Sequence, residues 1–131
     1  MTETVAWKAE PDEHDYPAAG SYLSLLATAE LVAQVVDALR AAPVEHQKAK
    51  DILRAASLPL LAVDNPHVAS DLAKVNKGHA LSPVLLLRGN VRAGVPMQVA
   101  DGYHRVCASY HVDENTDIPC RIADLPPAAT P

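Results

Sequence analysis

The stretch "SPVLLLRGNVRAGVPMQVADGYHRVCASY" (82–110) decides the fold. It opens on an almost unbroken aliphatic run, SPVLLLRG, which predicts a strand buried on both faces. NVRAG reads as a turn, and VPMQVA returns as the partner strand. That strand stops at Asp101–Gly102, and the pattern resumes with helical spacing through YHRVCASYH. Such a corner leaves the first backbone N–H groups of the helix without partners, which suits an anion. Gly102 removes the side chain that blocks close approach. His104 falls in the first helical turn, where an imidazole donates to a phosphate oxygen or passes a proton. Arg105 supplies a planar fork for phosphate or carboxylate. Asp101 is a candidate helix cap or metal ligand. An ordinary Asp-Gly turn followed by a surface arginine gives the same string with no ligand, so the spacing alone leaves both options open.

Working outward, NPHVASDLAKVNKG (65–78) predicts a helix with Asn65 as cap, Pro66 in the first position and Gly78 as stop. Val68, Leu72 and Val75 form its inner face. His67, near its start, joins the Asp101 turn if the two helix starts abut. LPLLAV (58–63) predicts a buried strand, and EHQKAKDILRAAS (45–57) a short helix that is basic on one side. TAELVAQVVDALRAA (28–42) predicts an amphipathic helix capped by Thr28 and stopped by Pro43. IPCRIADL (118–125) closes as a last strand with Ile118, Cys120 and Ile122 on one face. Residues 1–20 read as a polar, acidic arm. The expected architecture is a single α+β domain over 1–131: an arm and two extra N-terminal helices (1–57), a β–α–β–β–α–β core with a small mixed sheet flanked by helices (58–123), and a loose tail (124–131).

Composition narrows the function. A chain of 131 residues with 49% apolar residues supports one core. The net charge of −5 and the scarcity of aromatics weigh against a nucleic-acid face, which requires basic side chains and stacking platforms. No apolar run is long enough to span a membrane. Two cysteines and no leader-like N-terminus point to the cytoplasm. His104, Cys107 and His111 share a helical face at i, i+3 and i+7, yet a structural metal site takes four ligands and Cys107 fits a core position. Lys48 and Lys50 belong to a basic middle segment.

Residues 58–123 resemble the ParB/sulfiredoxin superfamily, with SPVLLL (82–87) and DGYHR (101–105) in the slots of that group's "QPIVV"-type strand and "DGHHR"-type turn. HDYPAAGSYLSL (14–25) and ADGYHR (100–105) together resemble a small, stand-alone bacterial branch of it. The resemblance implies a turn that holds nucleotide phosphates. Gly102 and Tyr103 would then offer backbone N–H groups, and His104, Arg105 and His67 would contact the ligand. Asp101 and His104 become the candidate catalytic residues, Asp101 also the magnesium ligand, and ATP, ADP or CTP the candidate cofactors.

Three departures qualify this. Tyr103 stands where the sulfinic acid reductases of the group carry their reactive cysteine. No helix-turn-helix region follows, as it does in partition proteins that hydrolyse CTP. The free-serine kinases use a glutamate near the first strand–helix junction, where VDNPHVASD (63–71) offers only Asp64 and Asp71. Two functions from different classes follow. One is a nucleotide-using phosphotransferase or NTP hydrolase. The other is a non-catalytic interaction or regulatory module that keeps the fold and contacts a protein partner or a second copy of itself.

Overall fold

The aliphatic run at 84–87 lies inside a four-stranded mixed sheet: in a computed structural model describing residues 4–126, all four of its residues are buried. The elements in chain order are α1 (Asp15–Leu23), α2 (Ala29–Ala41), β1 (Val44–Lys48), α3 (Ala49–Ala56), α4 (Pro66–Asn76), β2 (Val84–Leu87), β3 (Gln98–Asp101), α5 (Tyr103–Val112) and β4 (Asp117–Ala123). The sheet order is β1-β4-β2-β3. The β2–β4 pair is parallel, and the β1–β4 and β2–β3 pairs are antiparallel.

Alternation along the strands builds two cores. Val84 and Leu86 of β2, Val99 of β3, and Ile118 and Cys120 of β4 pack with α3, α4 and α5. Leu85, Leu87, Ala100 and Ala123 face the other way, against α1 and α2. The chain is therefore a three-layer α/β/α sandwich, and the near-continuous hydrophobicity of β2 reflects helices on both of its faces. Thr28 and Asn65 cap α2 and α4 as their positions predict. The 90–94 turn closes through paired bonds between the Asn90 and Val95 backbones.

Three expectations are corrected. Residues 45–48 are not the start of a helix; with Val44 they form edge strand β1, paired with β4 from Val44–Arg121 to Lys48–Asp117. Sheet pairing overrides the helical propensity of Glu-His-Gln-Lys, so helix α3 begins only at Ala49. Residues 4–57 thus contribute a strand to the sheet, with three helices and a strand where an arm and two helices were expected. The run 58–63 is not a strand. It lies over α5, with Leu58 and Leu61 packed on the core and its carbonyls taking bonds from Tyr103 and His111. The arm does not stay extended: α1 begins at Asp15, with Tyr16, Ala19 and Leu23 buried. Before it, Val5 and Trp7 pack near Val75 and Leu81, and Lys8 N donates to the Leu81 carbonyl at 2.8 Å. Of the expected tail, residues 127–131 lie outside the described residues, and Asp124 pairs with Arg88 at 2.6 Å. No helix among the described residues is long and apolar enough to cross a membrane.

Ser57 ends α3 in the left-handed region at φ +54°, where an L side chain is disfavoured. Ser57→Gly is expected to stabilise the fold by about 0.5–1 kcal/mol, read by equilibrium urea denaturation. A neutral or destabilising result would show that the Ser57 side chain contributes more than its backbone costs.

Candidate functional site

Strand β3 delivers Asp101, Gly102 bends the chain at φ +112°, and α5 starts at Tyr103. A Cβ on Gly102 would lie 2.4 Å from Val84 Cγ1 and 2.8 Å from Arg105 Nη2, so this glycine is required by packing against β2 as well as by its backbone angle. No side chain caps α5. Asp101, a candidate for that task, instead accepts from Arg105 Nη2 at 2.8 Å. Arg105 Nη1 lies 3.6 Å from Asp15 Oδ2 on α1. The guanidinium, only 16% exposed, is shared between two carboxylates of the protein, and its buried Nε has no hydrogen-bond partner. Its fork ties β3, α5 and α1 together, while the residue also lines the cleft at the start of α5.

The start of α5 opens onto a cleft of about 360 Å³. His67 from α4 meets His104 there, with ring centroids 4.6 Å apart, so the two helix starts abut, the condition on which His67 joins the turn. Lys8, Asp12 and His14 line it from the N-terminal arm, Asp71 and Lys74 from α4, and Asp101, His104 and Arg105 from the turn and α5. Each permanent cation has a carboxylate beside it: Lys8 with Asp12 at 2.8 Å, Lys74 with Asp71 at 3.8 Å, and Arg105 with Asp101. Three lysine or arginine side chains thus face three aspartates, so the permanent charges of the cleft balance.

Desolvation, aided by neighbouring His67, holds the His104 imidazole below its usual range, with Asp71 opposing. Burial pushes the Asp101 carboxyl up against the opposing pull of Arg105. Lys8, bonded to Asp12, lowers that carboxyl. Tyr103 turns away from the cleft and donates its hydroxyl to the Pro59 carbonyl at 2.6 Å. Cys107 and Cys120 are fully buried, and burial raises both thiols, Cys120 to about 12, which makes neither a nucleophile. His111 is engaged by the Leu61 carbonyl at 2.7 Å, so His104, Cys107 and His111 do not assemble a metal site.

Among the described residues, the His/Cys/Asp/Glu group whose ligand atoms come within 4.8 Å of one another is Asp12, His14 and Asp15. Its carboxylates are already taken, Asp12 by Lys8 and Asp15 by the Ser82 hydroxyl and Arg105. Asp101 stands apart from that group and is paired with Arg105, so it does not fit the magnesium role that the resemblance implies. Lys48, Lys50 and Asp64 do not line the cleft. Sequence reasoning missed Lys8, Asp12, His14, Asp15 and Ser82. Only the helical spacing of Tyr16, Ala19 and Leu23 hints that this segment folds back. No family model, curated protein or solved structure matches the chain.

Arg105→Ala leaves two largely buried carboxylates uncompensated and is expected to cost about 3 kcal/mol in chemical denaturation. A loss below about 1 kcal/mol would show that Asp15 and Asp101 do not depend on it. The depressed folded value of His104 has a defined sign. The unfolded chain takes up this proton first, so the contribution is intact above 6.5 and is lost as pH falls through the folded value. Tm measured from pH 8 to 5 is therefore expected to fall less steeply in His104→Gln than in the wild type. Parallel curves would contradict this.

Proposed function

We propose that the cleft at the start of α5 binds a phosphate-bearing small molecule, with a nucleotide the class that the ParB/sulfiredoxin resemblance implies. The observation that carries this reading is an uncapped helix start opening onto a cleft in which the rings of His67 and His104 meet. The free amides of the first α5 turn donate to phosphoryl oxygens. His104 and His67 add donors from two helices, and Lys8 and Lys74 neutralise charge from the rim. Arg105 acts in this reading as a positioning residue through Asp101 and Asp15.

A phosphotransferase or NTP hydrolase version assigns the proton to His104. Its lowered value leaves the imidazole neutral near pH 7, ready to accept a proton from an attacking hydroxyl or water. Asp101, held by Arg105, does not serve as that base. A different observation favours the non-catalytic module: every permanent cation of the cleft already has a carboxylate partner.

The deciding experiment is a thermal-shift series with inorganic phosphate, ATP, ADP, CTP and GTP, each with and without magnesium. A ligand in tenfold excess over its Kd is expected to raise Tm by roughly 5 °C. The shift is expected to grow as pH falls toward 6, because anion binding favours protonated His104, and to shrink in Lys74→Ala and His104→Ala. Absence of a shift with every compound at millimolar concentration removes the phosphate reading and leaves the module.

A further inference from the structure

We propose that a second cavity, adjoining the same turn, holds the uncharged ring of the ligand, which makes the ligand class a phosphate monoester of a planar compound bearing a hydrogen-bond acceptor. This inference rests on the phosphate reading above. The second cavity measures about 320 Å³ and shares Asp101, Gly102 and His104 with the charged cleft. A molecule anchored by its anionic end at α5 therefore has the second cavity directly beside it, along the Asp101–Gly102 and His104 wall that the two share.

The two compartments differ in chemistry. The charged cleft is rimmed by lysines, aspartates and histidines, whereas Ala18, Ala56, Leu58, Met97 and Val99 line the second. Its aromatic wall is fixed: the Tyr103 hydroxyl is bonded to Pro59, and its ring stacks on His104 with centroids 5.7 Å apart. Such a wall suits a flat ring and loses little freedom on binding. Gln98 also lines this cavity. Tyr22 donates its hydroxyl to Gln98 Oε1, which fixes the amide and leaves Nε2, the donor end, without a partner among the described residues. A donor presented this way selects an acceptor on the ring, such as a carbonyl. A phosphate-sized ligand uses none of these features, while the two cavities together match the size of a small-molecule site.

The test is calorimetric titration of the full chain with inorganic phosphate, phenyl phosphate and 4-acetylphenyl phosphate. Phenyl phosphate is expected to bind about tenfold tighter than phosphate through ring burial. The acetyl carbonyl is expected to add about threefold more, and Gln98→Leu to abolish that increment. Ala18→Trp, at an exposed position of α1, is expected to bring phenyl phosphate down to the phosphate level while leaving phosphate affinity within about twofold. In the unmutated protein, the Met97 methyl resonance is expected to move with phenyl phosphate and to stay fixed with phosphate.

Equal affinities for phosphate and phenyl phosphate overturn the ring site and leave the anion cleft standing. Binding of none of the three compounds overturns both. A gain for phenyl phosphate that survives Ala18→Trp, with an unmoved Met97 methyl, places the ring elsewhere and overturns the inference. No gain from the acetyl group overturns the part assigned to Gln98.

Discussion

The guanidinium of Arg105, set between Asp101 and Asp15, is the interaction on which the arrangement turns. It joins the corner between β3 and α5 to the first turn of α1, a segment more than eighty residues earlier in the chain. The chain of contacts continues outward. Asp15 accepts from the Ser82 hydroxyl, and Ser82 Oγ in turn accepts from the Asp12 backbone N–H. A charge removed from water is tolerable only with partners of this kind, so each carboxylate holds its element in place through the same cation. Part of what reads as a ligand motif is therefore internal structure.

This division of labour shapes the cleft. With its permanent charges matched in pairs, the cleft has no strong standing field and relies on titratable rings and backbone dipoles. The acidic N-terminal segment follows the same logic. Glu10 lies near Arg121, Asp12 takes Lys8, Glu13 takes Arg40 and Asp15 takes Arg105, so its negative charge is spent on holding the segment against the body.

The legible parts of the sequence were those where local chemistry and tertiary role agree. Val84–Leu87 is aliphatic because helices cover it on both sides, and α2 and α4 carry caps that work as their residue types suggest. The turn at Asp101 and the buried Cys107 were also readable, since each follows from an element boundary or a helical period, whereas the His67–His104 meeting depends on how two helix starts are placed in space, which the sequence leaves open. β1 was not, because an edge strand with solvent on its outer side has no need of apolar residues and Glu45–Lys48 carries none. Residues 58–63 misled for the opposite reason. An apolar run of that length suits any segment that covers a core, and Pro59 withholds a donor from a sheet. The contributions of Asp12, His14 and Asp15 to the cleft depend on a fold-back that no local pattern encodes.

The sheet order has a consequence for how the molecule comes into being. β4, the last strand along the chain, lies between β1 and β2, so nascent chain lacking residues 117–123 leaves two strand flanks open at once. Helices α2 and α3 then have no completed platform to settle on, and final consolidation waits until β4, the ninth element in chain order, is in place. Folding is accordingly deferred until β4 has been made, and in that interval unpaired backbone is most open to intermolecular pairing.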